Sequence, residues 1–271
     1  MRVTLNGEVI SDDWQWVYDY FDIAAFSPGV IRQALRDNPE GEDLVLEINS
    51  VGGSVFAGFE IYTLLRGAEC PTVAEVQSLA ASAASTVMAG CSRVLVSPVA
   101  QIMLHQPAIV TDGNIDEHDR SLRMLESVRR SIVNGYATRC GDKATRRQLE
   151  NMVNRETWLS AQEALDIGLA DGILGQEDGD SSGLALSVVN SVGNGIRSLA
   201  GNNPGGHSPA ELLARYEAAV RAGAEPAAGH PVQPEEPAAP EIVDPDGGAP
   251  SDSLDIWRRK ARLAIEQNRF I

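Results

Sequence analysis

The sequence has few residues that could support metal or disulfide chemistry. Its 271 residues include three cysteines, Cys70, Cys91 and Cys140. They are too far apart for a Cys-x-x-Cys site and lack the neighbouring histidines that zinc favours. Three cysteines without evident partners are typical of a reducing compartment. We therefore expect no metal ion and no other cofactor, and we interpret the cysteines as small core or helix residues.

The sequence also lacks a long uninterrupted apolar segment. Its most apolar stretch, residues 73–90, contains Glu75, Gln77 and Ser78, so no transmembrane helix is predicted. Residues 1–10 alternate like a short strand and lack the basic flank and apolar core of a secretory signal. The formal net charge of −16 opposes prolonged contact with phosphate backbones. We expect a cytoplasmic protein that binds neither membranes nor nucleic acid.

The first 175 residues alternate short apolar runs with segments of helical periodicity. This pattern favours an α/β fold in which crossover helices join parallel strands. The strands are predicted at 2–5, 44–48, 72–76, 94–97 and 102–104. The helices are predicted at 30–36, 55–66, 82–89, 115–140 and 160–167.

The composition changes after about residue 175. Residues 176–250 hold nine of the 14 prolines, and 11 acidic against three basic residues. Such sequence buries too little apolar surface to offset its ordering entropy, which predicts a largely disordered acidic Pro/Ala-rich tail. We therefore expect a catalytic domain over 1–175 and a linker over 176–250 with a short helix near 208–222. An amphipathic helix is expected over 251–271, either docking in a groove of a protein partner or lacking a partner.

Three segments of the predicted domain carry groups that suit one kind of chemistry. Asn49-Ser50-Val51-Gly52-Gly53 ends an apolar run, Ala80–Ser85 is rich in serine, and His105-Gln106-Pro107 follows another apolar run. A diglycine after a strand lets backbone N–H groups face a reacting carbonyl, because no Cβ blocks the approach. In this order the segments would supply an oxyanion hole, a nucleophile and a base, which favours a serine peptidase.

Each segment alone has a simpler structural interpretation. Gly52-Gly53 could be an ordinary turn between a strand and a helix. Ala80–Ala89 could be a tightly packed helix whose serines bond back to the backbone. His105 could be a half-buried histidine with its hydrogen bonds satisfied. The combination of all three in one chain favours catalysis.

With these segments the sequence resembles the Clp-type serine peptidases (ClpP), and more closely their phage relatives, the Clp-like head maturation or prohead proteases. The resemblance implies a ClpP/crotonase-like fold of repeated β-β-α units with a protruding handle helix, which would be 115–140. The alternative for this helix is that it packs on its own domain. The resemblance also implies a homo-oligomeric ring. The resemblance extends from about residue 7 to 174 through the segments 48–58, 79–85, 103–107, 136–141, 156–161 and 168–171.

The resemblance also implies a catalytic triad. The nucleophile falls on Ser82, which closes the first Ala-Ala-Ser, with Ser85 as the alternative. The base falls on His105 and the third member on Glu156, where housekeeping ClpP enzymes carry aspartate. The glutamate is a feature of the phage branch.

The chemistry of these residues is consistent with that assignment. His105 would accept the proton of the serine hydroxyl during attack, and Glu156 would hold the imidazole in the right tautomer. The oxyanion would be held by the N–H of Gly52 or Gly53 together with that of Ala83. Val51 stands where the family usually has proline, which leaves both glycines in place.

Other catalytic arrangements fit less well. No Gly-x-Ser-x-Gly surrounds Ser82, which argues against an α/β-hydrolase elbow. The chain has only two lysines, Lys143 and Lys260, which argues against a Ser/Lys pair. No Gly-x-x-x-x-Gly-Lys loop is present, so any use of ATP would belong to a partner.

The expected function is that of a serine endopeptidase that cleaves capsid or scaffold proteins inside an immature phage head in the host cytoplasm. The alternative is a non-catalytic, ring-forming assembly or scaffolding protein on the same fold. A third interpretation, an acyl-CoA hydratase of the same broad fold, would use the diglycine but would not need the serine and histidine.

Overall fold

The computed structural model describes residues 1–176 and 209–221. The helix predicted over 251–271 and most of the predicted linker lie outside the described residues. Strands occupy β1 (Arg2–Val9), β2 (Ala25–Phe26), β3 (Leu44–Gly53), β4 (Thr72–Ala81), β5 (Arg93–Val96), β6 (Gln101–Leu104), β7 (Thr157–Ser160) and β8 (Gly172–Ile173). Helices occupy α1 (Asp12–Tyr20), α2 (Pro28–Asp37), α3 (Val55–Arg66), α4 (Ala83–Gly90), α5 (Ile115–Cys140), α6 (Arg146–Arg155), α7 (Ala161–Asp166) and α8 (Pro209–Arg221), with a short 3-10 helix at Gly141–Lys143.

The strands form one sheet in the order β2-β1-β3-β4-β5-β8, and every pair along this path is parallel. This confirms the predicted α/β fold with a parallel sheet. The long strand β4 pairs with β5 along Val73–Val76 and then with β6 along Leu79–Ala81. The side of β4 that faces away from β3 therefore pairs with β5 in its first part and with β6 in its last part, so the sheet divides at β4. The strand β7 pairs with β6 and runs antiparallel to it.

The central strands are longer than the apolar runs predicted. β1 continues to Val9, β3 to Gly53 and β4 to Ala81. The reason is the pairing between strands, because β1 stays hydrogen-bonded to β3 as far as the pair Val9 and Gly53. The diglycine is thus part of a strand rather than a separate turn.

The helices α3 and α5 have the predicted bounds, whereas two other predicted helices begin one residue late. Ser82 precedes α4 and Ser160 precedes α7, and the Ser160 side chain caps its helix by accepting a hydrogen bond from the N–H of Glu163. No element was predicted at α1, α6 or β7. Within residues 1–176 and 209–221, no helix is both long enough and apolar enough to cross a membrane.

The main core lies between the sheet and its helices, and α4 is buried along its whole length. A second, smaller core forms where α8 packs on α1. The main core fixes the ends of β3, β4 and β6, where the candidate catalytic residues lie.

Candidate active site

Ser82 occupies a sharp turn between β4 and α4. Its backbone φ of 54° and ψ of −124° lie in a region that residues other than glycine rarely adopt. Backbone hydrogen bonds hold this turn: the Ser82 N–H donates to the carbonyl of Met103, and the Ser82 carbonyl accepts from the N–H groups of Ser85 and Thr86. A strained serine between a strand and a helix is also how other serine hydrolases expose their nucleophile.

His105 follows β6 directly, at the same edge of the sheet. Because Ala81 of β4 pairs with Met103 of β6, the residues after these two strands are neighbours. The distance from His105 Nε2 to Ser82 Oγ is 2.6 Å, which is a short hydrogen bond. The structure therefore brings the predicted nucleophile and the predicted base into direct contact.

Burial of His105 lowers the pKa of its imidazole below the usual 6.5, and the negative charge of Glu156 partly offsets this. The imidazole is therefore neutral at pH 7 and can accept a proton. Glu156 is close because β7 pairs with β6, so that Thr157 lies opposite Leu104. Among the described residues, however, no hydrogen bond joins Glu156 to His105. The predicted third residue is present as a nearby charge rather than as a hydrogen-bonded partner.

The diglycine lies against the turn at Ser82. Both glycines have positive φ values, 95° for Gly52 and 144° for Gly53. A Cβ on Gly52 would lie 2.6 Å from the Cβ of Ser82, so only glycine fits there. The Gly52 N–H donates to Ser50 Oγ at 3.1 Å, whereas Gly53 and Ala83 line the adjacent cavity. Gly53 is thus better placed than Gly52 to face a substrate carbonyl.

The cavity beside Ser82 has a volume of about 310 Å³ when its open mouth is included. It contains the reactive edge of His105, and its remaining wall is mostly apolar. These wall residues are Val55, Ala83, Thr86, Pro107, Ile132 and Tyr136. A wall of this kind suits an uncharged, apolar side chain of a substrate.

Ser85, the alternative nucleophile, is completely buried. Its Oγ lies 2.6 Å from the carbonyl oxygen of Ser82, 3.1 Å from that of Met103 and 2.8 Å from the hydroxyl of Tyr136. These contacts leave it no path to a substrate and make it a support for the nucleophile turn. The contribution of Tyr136 to this support could not be predicted from the sequence, because its position on α5 indicates only a core residue.

The buried cysteines are unsuited to nucleophilic attack. Burial raises the pKa of the Cys91 thiol to about 12 and that of Cys140 to about 11. Both thiols are protonated at neutral pH, and the thiolate is the reactive form.

In residues 1–176 and 209–221, no group of three or more potential ligands could hold a metal ion.

A parallel α/β sheet with a histidine-bonded serine on a strained turn is the arrangement of a serine hydrolase. Comparison with known proteins narrows this class. The family model described as Clp protease matches residues 30–177, more than half of the chain, so the protein belongs to the Clp protease family. The serine hydrolase class is therefore narrowed to the ClpP-type serine protease family.

Individual relatives agree with the family assignment. ATP-dependent Clp protease proteolytic subunit 1 of Chlamydia abortus is 37% identical over 141 residues, which are 51% of this chain and 72% of the relative. The subunit 1 of Chlamydia trachomatis serovar D is 37% identical over 142 residues, with the same coverage. The proteolytic subunit of Porphyromonas gingivalis is 29% identical over 136 residues, 49% of this chain and 60% of the relative.

The geometry distinguishes the two serines experimentally. Ser82→Ala should lower the hydrolysis of a fluorogenic peptide by about 10³-fold or more, because the attacking oxygen is removed. Ser85→Ala should retain most of the activity and mainly lower the melting temperature, because it loses only buried hydrogen bonds. Loss of activity in Ser85→Ala with retention in Ser82→Ala would reverse the assignment.

The charge of Glu156 should be visible in the pH dependence of kcat/KM. In the wild-type protein the acid limb of the kcat/KM profile should have its midpoint below pH 6.5, because the pKa of His105 is lowered. Glu156→Gln removes the charge that raises this pKa, so the limb should move to still lower pH while turnover drops. Glu156→Asp should keep part of the activity. Glu150→Gln, on the helix α6 that ends just before Glu156, serves as control and should change neither. An unshifted limb in Glu156→Gln would exclude Glu156 from the site.

Proposed function

We propose that the protein is a serine endopeptidase in which Ser82 is the nucleophile, His105 the general base and Glu156 the acidic third residue. The observation that carries this proposal is the 2.6 Å contact between Ser82 Oγ and His105 Nε2 at a strained turn beside an apolar cavity. Retention of both groups in contact favours catalysis over the alternative of a non-catalytic scaffolding protein.

The first chemical step follows from this contact. Ser82 Oγ attacks the carbonyl carbon of the scissile peptide bond while its proton passes to Nε2 of His105. The carbonyl oxygen becomes an oxyanion that accepts hydrogen bonds from the N–H groups of Ala83 and Gly53. Gly52 would contribute only if its N–H released Ser50.

The imidazolium then completes the reaction. It donates its proton to the amine nitrogen as the carbon–nitrogen bond breaks, leaving an ester between Ser82 and the acyl group. A water molecule attacks this ester and gives a proton to His105. The bond between the acyl carbon and Ser82 Oγ then breaks, the imidazolium returns its proton to Oγ, and the acyl group leaves as a carboxylic acid. Glu156 stabilises the imidazolium in both halves, and its contact with His105 should tighten when substrate excludes water.

The cavity next to Ser82 would receive the side chain that precedes the cleaved bond. Its wall, which includes Val55, Ile132 and Tyr136, contains no acidic or basic side chain other than His105, whose imidazole is neutral at pH 7. A buried charged side chain there would lack a partner, which costs several kcal/mol. We therefore propose cleavage after apolar residues.

The biological substrates that we propose are capsid or scaffold proteins of an immature phage head. The support is the sequence resemblance to head maturation proteases, including glutamate at position 156. We also propose that the chain forms a ring, as expected for its family. The helix α5 carries side chains that suit such contacts, because Ile115 is 79% and Leu122 59% exposed.

Co-expression with a phage shell or scaffold protein from the genome that encodes this chain, followed by intact-mass measurement of every product, tests this function. The wild-type chain should shorten the shell or scaffold protein at one or a few sites that follow apolar residues. The Ser82→Ala variant should leave the same protein intact. Assembly that proceeds equally well with both chains and without cleavage would favour the scaffolding alternative.

A further inference from the structure

The second core is formed by residues from both ends of the described chain. Leu212 of α8 is completely buried against the α1 region, in a cluster with Ile10, Trp14, Val17 and Tyr18. The contact continues outside this cluster through aromatic rings. The ring of Tyr216 meets those of Trp16 and Tyr20 edge-on, with centroids 5.0 and 4.9 Å apart, and the Arg215 guanidinium lies 4.9 Å from the centre of the Phe21 ring.

The second core adjoins the edge of the sheet where β3, β4 and β6 end and where Ser82, His105 and the diglycine lie. α1 follows β1 after only two residues, and the end of β1 lies beside the diglycine, with Glu8 opposite Gly52 and Val9 opposite Gly53. The carbonyl of Val9 accepts a hydrogen bond from the Ser54 N–H at 2.7 Å. A Cβ on Gly53 would lie 2.8 Å from Cγ of Glu8, so the stem of this glutamate packs directly on the diglycine.

One hydrogen bond connects the second core to this edge. The hydroxyl of Tyr18 donates to Oε2 of Glu8 at 2.8 Å. Tyr18 is completely buried and Glu8 is half-buried, and this burial raises the pKa of both groups. A buried carboxylate needs such a donor, because leaving it unpaired is costly. The position of Tyr18 is in turn fixed by the core that Leu212 completes.

We propose that α8 is a positioning element for the active site, docked on α1 of its own chain, and that it holds the Gly52-Gly53 segment in place through Tyr18 and Glu8. The part of this inference that concerns catalysis rests on the proposed serine peptidase function. Tyr18 and Glu8 are positioning residues, since neither touches Ser82 or His105. Loss of the α8 contact would let α1 loosen and the oxyanion donors lose their alignment.

Hydrogen exchange of the full-length chain tests the docking and its effect separately. Leu212→Asp places a charge in the second core, so amide exchange in residues 12–23 and in residues 50–54 should speed up by about tenfold or more. Labelling of Ser82 by a fluorophosphonate should slow by about tenfold, because misaligned oxyanion donors stabilise the transition state less. Ala214→Asp, on the exposed face of the same helix, is the matched control and should change none of these rates.

The possible outcomes distinguish the docking of α8, its effect on the active site and the proposed peptidase function. Unchanged exchange in residues 12–23 of Leu212→Asp would show that α8 does not hold α1. Faster exchange there, with unchanged exchange in 50–54 and unchanged labelling, would show that docking does not reach the active site. Faster exchange in both segments, in a protein whose wild-type form is never labelled, would support the docking while removing the proposed peptidase function.

A second pair of variants tests the hydrogen bond alone. Tyr18→Phe keeps the ring in the second core but removes the donor to Glu8, so labelling should slow while exchange in residues 12–23 stays as in the wild type. Adding Glu8→Gln replaces the unpaired carboxylate with a neutral group, which should restore most of the labelling rate. A merely structural role of Tyr18 would give no such rescue. A double variant that labels as slowly as Tyr18→Phe alone would therefore overturn the proposed link from Tyr18 through Glu8 to the diglycine.

Mixing two defective chains tests whether the docking is within one chain. Leu212→Asp has an intact α1, and Val17→Asp has an intact α8. If α8 docks on its own chain, the mixture should label no faster than the average of the two variants. Faster labelling in the mixture would show that α8 docks on a second copy instead.

Discussion

The backbone conformation of Ser82 is the constraint on which the rest of the site depends. A non-glycine residue at φ 54° costs on the order of 1–3 kcal/mol, and it persists only where surrounding contacts determine it. Here the contacts come from three directions: Met103 of β6 accepts from its N–H, Ser85 contacts its carbonyl, and Gly52 packs against its side chain. The division of the sheet along β4 is what makes β6 available for this role.

Electrostatics at this edge follow from burial. His105 is kept neutral because removing it from water disfavours the imidazolium, and the charge of Glu156 limits that effect. The base can therefore accept a proton at neutral pH and still be stabilised once it is charged. Burial also keeps the thiols of Cys91 and Cys140 protonated, so neither competes with the hydroxyl of Ser82 as a nucleophile.

Much of this edge could be predicted from local sequence. Apolar periodicity predicted the bounds of α3 and α5, and the order of diglycine, serine-rich segment and histidine predicted the three segments that the structure brings together. The choice of Ser82 within its segment came from the resemblance to the Clp-type peptidases. Strand ends were missed, because the pairing of Val9 with Gly53 depends on a segment more than forty residues away. The proximity of Glu156 to His105 could not be predicted from local patterns either, because it depends on the pairing of β7 with β6.

The contact between α1 and α8 could not be predicted at all. The residues of α1 include several aromatic side chains in a stretch without a clear helical stripe, and Leu212 gains its burial only from residues about two hundred positions away. Composition indicated a change of character after residue 175, and that change does not mark the end of the packed part of the chain. Local sequence describes the elements well and the long-range contacts poorly.

A crystal structure of the chain after reaction with a fluorophosphonate would test the central claim most directly. We expect the phosphorus bonded to Ser82 Oγ and its oxygen about 2.7–3.1 Å from the N–H nitrogens of Ala83 and Gly53. The imidazole of His105 should remain within hydrogen-bond distance of the adduct. An adduct on Ser85 or another residue, or an oxygen that faces solvent instead of these two amides, would contradict the assignment of the site.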